Sequence, residues 1–132
     1  MTLKADMRIL VVDDMATMRK IIKNMLTQIG FTNIQEADDG STAWKKMEDA
    51  IASGAPYEFI VSDWNMPQLS GLDFLKKIRS VESLKNLPFL MITAEAEQGN
   101  VVIAVKAGVS NFIVKPFSAQ VLKEKIDKIF NK

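Results

Sequence analysis

The feature that most constrains this chain is an alternation repeated five times along its 132 residues. Each repeat is a short run of strand length, usually apolar, followed by a longer segment with apolar residues at helical spacing. The first run is Arg8–Val12. Met15–Ile29 follows it, with Met15, Met18, Ile22, Met25, Leu26 and Ile29 recurring every three or four residues, and Gly30 as its stop. Asn33–Ala37 reads as a second, more polar strand. Ser41–Ile51 reads as a second helix with Ala43, Trp44 and Met47 on one side, and Ser53-Gly54-Ala55-Pro56 breaks the chain. Tyr57–Ser62 is the third strand, and a loop over Trp64–Ser70 leads to a helix over Gly71–Arg79. Pro88–Thr93 is the fourth strand, followed by a helix over about Asn100–Ala107 that Gly108 ends. Asn111–Val114 is the fifth strand, and Ser118–Phe130 the last helix, with Ser118 as its N-cap.

Four of the five strands are mostly apolar, as strands covered on both faces are. Right-handed crossovers then give an α/β fold, a doubly wound parallel sheet with helices on both faces. With 48% hydrophobic and 25% charged residues and no linker or low-complexity tract, the chain reads as one domain over residues 1–132. In such a sheet the ligand site lies beyond the carboxyl ends of the strands, near the point where strand order reverses.

Those ends carry polar groups. The first strand ends in Asp13-Asp14 and the third runs into Asp63-Trp64-Asn65-Met66-Pro67. The fourth ends in Thr93-Ala94-Glu95 and the fifth in Lys115-Pro116-Phe117. Each alone has an ordinary reading: Asp14 or Thr93 as a helix cap, Lys115 as an exposed lysine. Their recurrence at successive strand ends favours a shared site.

Composition narrows the chemistry. The chain has no cysteine and no histidine, which excludes disulfides, thiolate nucleophiles, phosphohistidine and histidine-ligated metals. Carboxylates, hydroxyls, amines or a hard cation remain. A net charge of +1 offers no general attraction to nucleic acid. No apolar run approaches the ~20 residues of a membrane span. The start, Met1-Thr2-Leu3-Lys4-Ala5-Asp6, lacks the apolar stretch of a signal peptide. The expectation is a soluble, cytoplasmic protein.

Three carboxylates close together disfavour one another's ionisation, and a divalent cation relieves them. Mg²⁺ takes a few carboxylates, keeps several waters and accepts phosphate oxygen. Asp14 and Asp63 are candidate direct ligands, Asp13 a ligand through water, and the Asn65 backbone carbonyl a further oxygen. With Lys115 for charge and Thr93 for a directional hydrogen bond, the set describes a phosphoryl site. Asp63 is the candidate nucleophile, since the third strand is central in the expected sheet and a carboxylate can accept a phosphoryl group.

The combination V-V-D-D, D-W-N-M-P, T-A-E and K-P-F, in this order and spacing, resembles the response-regulator receiver family from about Met7 to Phe130, and within it the single-domain chemotaxis regulators. The resemblance implies a flavodoxin-like fold with strand order 2-1-3-4-5, the order already known for chemotaxis receivers. It implies Asp63 as phosphoacceptor and Mg²⁺ held by Asp13, Asp14, Asp63 and the Asn65 carbonyl. Thr93 and Lys115 then contact the phosphoryl group, Asn65 and Glu95 tune its hydrolysis, and the Lys115-Pro116 peptide is cis. Phe112, Val101, Val105, Val114 and Lys125 match the family's partner-binding face.

The implied role is a signalling receiver, catalysing only its own phosphorylation and dephosphorylation, as a monomer with no output domain. Its implied partners are a chemotaxis-type histidine kinase, the flagellar motor switch protein and a phosphatase, with no nucleic acid or membrane. Phe112 departs from the tyrosine usual on the fifth strand of the chemotaxis branch. The region of Glu97-Gln98-Gly99 lacks that branch's lysines, and the loop at Ala52–Pro56 is longer than usual. Two alternatives use similar residues. One is a phosphorelay intermediate or phosphate sink. The other is a haloacid dehalogenase-type phosphohydrolase, whose D-x-D after the first strand is adjacent Asp13-Asp14 here. A flavin phosphate would be repelled by the acidic loop after the first strand.

Overall fold

The computed structural model describes residues 5–66, 68–94 and 98–130, and side chains in all of these except 98–100. Pro67, Glu95 and Glu97 of the sequence reading lie outside the described residues.

Five strands form one parallel sheet in the order β2-β1-β3-β4-β5. They are β1 (Ile9–Val12), β2 (Ile34–Ala37), β3 (Phe59–Asp63), β4 (Phe89–Thr93) and β5 (Asn111–Val114). The helices are α1 (Ala16–Ile29), α2 (Gly40–Ala52), α3 (Gly71–Arg79), α4 (Gln98–Lys106) and α5 (Ala119–Phe130). The expected flavodoxin-like α/β fold is therefore observed. Parallel neighbours need long crossovers, and these helices supply them.

Alternate residues of each strand face opposite layers. On one face Ile9 and Val11 of β1, Phe59 and Val61 of β3, and Leu90 and Ile92 of β4 pack with Ile22 and Leu26 of α1 and Leu122, Ile126 and Phe130 of α5. The Phe59 and Phe130 rings meet edge-on at 5.3 Å. On the other face Leu10, Val12, Ile60 and Phe89 pack with Ala43 and Met47 of α2 and Phe74, Leu75 and Ile78 of α3. The helical spacing read from the sequence is thus largely the spacing of side chains docked on the sheet; Met15 is the exception, standing before α1 as its N-cap and exposed. Each fully buried Phe or Leu among them contributes ~1.5–3 kcal/mol. Edge strand β2 is the polar one, with Gln35 exposed and Glu36 half-buried.

Local chemistry sets several ends. Ser70 caps α3, its hydroxyl accepting the Asp73 N–H at 3.1 Å, and Ser118 Oγ accepts the Val121 N–H at 3.2 Å. Gly30 and Gly108 end α1 and α4 at φ 122° and 92°, where a side chain would be strained. Most element boundaries fall within two residues of the sequence reading, and three differences are instructive. β3 extends to Asp63 because Asp63 lies in register with Ile92 of β4, a pairing no local pattern reveals. α4 begins at Gln98, two residues before the expected start. A single 3₁₀ turn at Glu82–Leu84, too short for periodicity, joins α3 to β4. Among the described residues no helix is long and apolar enough to cross a membrane.

Candidate functional site

The strand order brings the carboxyl ends of β1, β3, β4 and β5 to one edge, with β3 in the middle. Asp13 follows β1 with no exposed surface, and Asp63 closes β3 at 5% exposure. Asp14 is exposed beside them. One carboxylate oxygen from each of Asp13, Asp14 and Asp63 lies within 4.8 Å of the others. Thr93 ends β4 and is buried. Lys115 follows β5, its N–H donating to the Thr93 carbonyl at 2.8 Å. Its ammonium is 3.0 Å from Asp63 Oδ1 and 3.9 Å from Asp13 Oδ2. The Lys115-Pro116 peptide is cis.

The site is electrostatically unbalanced. Burial pushes the Asp13 carboxyl above its ordinary value; the Met15 N–H opposes this, and the Asp63 charge adds to it. Burial likewise raises Asp63, opposed by the hydrogen bond and charge of Lys115 and reinforced by Asp14. Among the described residues one ammonium faces three carboxylates. Asp13 Oδ2, buried, accepts no hydrogen bond among the described residues. An all-oxygen acidic cluster with an orphaned buried acceptor fits a hard divalent cation.

Asp14 does not cap the first helix. The N-cap is Met15, with no side-chain cap, and Asp13 Oδ1 accepts the Met15 N–H at 2.9 Å. Asp63 is backed by close packing: a Cβ on Gly71 would fall 2.0 Å from the Asp63 carbonyl oxygen. The Gly71 N–H donates to the Trp64 carbonyl at 2.8 Å, and Ser62 Oγ donates to the Asp63 carbonyl at 3.0 Å. Asn65 is exposed in the loop after β3, and Trp64 is half-buried beside Asp63.

The residues assigned to a partner face lie elsewhere. Val105 is 61% exposed on α4, while Val101, Val114 and Lys125 are half-buried. Phe112 is partly buried against the α2–α3 side of the core, with the Lys125 ammonium 5.2 Å from its ring centroid. Reading the sequence missed Arg19 and Gly71 at the site. Arg19 could have been noticed as a charged residue three before Ile22, on the stripe that faces the core.

A parallel sheet in this order, with acids after β1 and β3 and a lysine after β5, defines a receiver-type α/β protein. The response regulator receiver domain family matches residues 9–127, and the chain belongs to it. It is 52% identical over 126 residues to chemotaxis protein CheY of Pseudomonas aeruginosa, covering 96% of this chain and 98% of that one. Two solved structures share the architecture. The receiver domain of sensor histidine kinase PA1611 from Pseudomonas aeruginosa, with magnesium coordinated in its active-site cleft, has TM-score 0.82 at 26% identity, covering 97% of this chain and 100% of that one. The CheY of the CheX–CheY–BeF3–Mg complex from Borrelia burgdorferi has TM-score 0.85 at 27% identity, covering 96% and 90%. The matched family is one of signalling receivers, and the haloacid dehalogenase alternative receives no support.

Proposed function

We propose that this chain is a phosphorylation-activated switch that takes a phosphoryl group from a histidine kinase onto Asp63. The observation that carries the reading is the Lys115 ammonium at 3.0 Å from a buried Asp63 carboxylate, inside a three-carboxylate cluster. In the transfer an Asp63 oxygen attacks phosphorus as the P–N bond of the donor phosphohistidine breaks. The bonding pair stays on the imidazole nitrogen, and an acyl phosphate results. Burial raises Asp63's affinity for protons, and Lys115 offsets this by favouring the anion, the nucleophilic form. Lys115 and the Thr93 hydroxyl then lie at the edge where phosphoryl oxygens arrive. Asp13, Asp14, Asp63 and the Asn65 carbonyl would hold Mg²⁺, which supplies charge neutralisation to the phosphoryl oxygens when bound. The resemblance to the receiver family assigns the tuning of hydrolysis to Asn65 and Glu95.

The output in this reading is the face built by α4, β5 and α5, presented to the flagellar motor switch, and the protein acts as a cytoplasmic monomer. The 52% identity to a chemotaxis protein supports the chemotaxis assignment. Incubation with Mg²⁺ and acetyl phosphate should add one phosphoryl mass, and Asp63→Asn should remove it because an amide is a poor nucleophile. Full labelling of Asp63→Asn under the same conditions would overturn the assignment.

A further inference from the structure

Asp13 is fixed at almost every polar atom. Its N–H donates to the Ala37 carbonyl at 3.1 Å, and its Oδ1 accepts the Met15 N–H at 2.9 Å. Its carbonyl accepts from Arg19 Nη1 at 2.7 Å. Among the described residues only Oδ2, close to Lys115, accepts no hydrogen bond. The carbonyl that Arg19 grips belongs to the peptide joining Asp13 to Asp14. The orientation of that peptide sets where two of the three clustered carboxylates stand relative to each other.

Arg19 is itself held. Its side chain is 18% exposed, and Nε donates to Glu36 Oε1 of β2 at 3.2 Å. Lys23, one turn further along α1, lies 3.7 Å from Glu36 Oε2. The guanidinium therefore bridges a carboxylate on the edge strand to a backbone carbonyl in the acidic loop. A planar fork with fixed N–H directions can serve both acceptors at once, which an ammonium on a flexible stem does poorly.

We propose that Arg19 is a positioning residue for the acidic cluster. By holding the Asp13–Asp14 peptide against Glu36, it presets the carboxylates for a small cation of strict geometry. The inference rests on the Mg²⁺ reading above. Mg²⁺ demands near-octahedral ligands, whereas Ca²⁺ accepts irregular ones. A loosened peptide should cost Mg²⁺ more than Ca²⁺, while a general loss of stability should weaken both alike. Partners that orient metal ligands are worth ~10–100-fold in affinity.

The test titrates Mg²⁺ and Ca²⁺ separately, following Trp64 fluorescence, in wild type, Arg19→Gln, Arg19→Lys and Glu36→Gln. Urea unfolding of each variant runs alongside, and Ile29→Val in the distant part of α1 serves as a stability control. Arg19→Gln should weaken Mg²⁺ about tenfold or more and narrow the preference for Mg²⁺ over Ca²⁺. Arg19→Lys should fail to restore it, and Glu36→Gln should fall between. Should Arg19→Gln fail to fold, Glu36→Gln carries the test, since it leaves Arg19 in place and loosens its anchor, with Lys23→Gln as the control for the exposed Lys23 pair that it also removes. Wild-type binding with both cations weakened equally, or with Mg²⁺ affinity unchanged in the folded variants, overturns the role of Arg19 alone. No Mg²⁺ binding by wild type overturns the metal reading together with it.

Discussion

Asp13 and Asp63 both hold protons more tightly in the folded chain than their ordinary value of 3.8. Stability from such raised groups is fully present below that value and is lost as pH rises through the folded pKa values. Without divalent cation the protein should lose stability as the medium goes from acid toward neutral. Asp13→Asn removes one of the mutually repelling charges. It should raise the midpoint of thermal unfolding at neutral pH by roughly 3–5 °C, the shift that about 1 kcal/mol gives in a chain of this size. The gain should shrink toward pH 4. Mg²⁺ should reverse the order, since it adds binding energy to the wild-type folded state. Thermal scans at three pH values with and without Mg²⁺ check all of this. A neutral-pH loss of stability in metal-free Asp13→Asn would contradict the repulsion argument. At this scale the acids at strand ends were legible because strand ends are legible. The place of Arg19 on the core-facing stripe was legible too, but its role was not, because its acceptors are a backbone carbonyl and a residue of the edge strand.

At the scale of elements, the entry to α3 and the end of β3 act as one unit. The Gly71 backbone sits where any side chain would meet the Asp63 carbonyl, so Gly71→Ala must push the strand end or the helix aside. That substitution should cost about 1–3 kcal/mol, as forced overpacking does, and should slow acetyl phosphate labelling. Ser70→Ala removes only the cap and should cost about 1 kcal/mol while labelling proceeds. Urea unfolding and mass spectrometry on the pair separate stability from placement of Asp63, and equal labelling rates would deny Gly71 its placing role. Helix ends marked by Gly30 and Gly108 were readable from sequence because glycine alone relieves their positive φ. The end of β3 was not, because pairing with β4 decides it.

Across the whole molecule, the site and the proposed output face lie on elements that share β4 and β5. Thr93 ends β4, Lys115 follows β5, and Phe112 is paired with Met91 in the same ladder. Two states of one face therefore require no long relay. α4 leaves Val102, Ile103 and Val105 exposed at 44%, 43% and 61%, while Ala104 faces the core. Exposed β-branched residues on a helix suit an apolar partner surface. The Phe112 ring, partly buried under Lys125, has no hydroxyl to hold an inward position, so packing and the cation–π contact must set its balance. If the phosphoryl group draws Thr93 toward it, the ring entering the space left behind would be buried further, and full burial of Phe is worth ~1.5–3 kcal/mol, enough to bias a two-state surface. The unphosphorylated protein should then sample the inward ring and bind its partner measurably. Binding to the flagellar switch protein should be measured with and without beryllium fluoride and Mg²⁺. Val105→Asp should weaken binding about tenfold in both conditions, as loss of an interface contact of about 1.4 kcal/mol does. Phe112→Ala should shrink the difference between the two conditions, and Phe112→Tyr should retain Asp63 labelling. If neither Val105→Asp nor Phe112→Ala alters binding while Asp63 labels normally, this face is not the output surface. Back-transfer of the phosphoryl group to a histidine protein then becomes the reaction to measure.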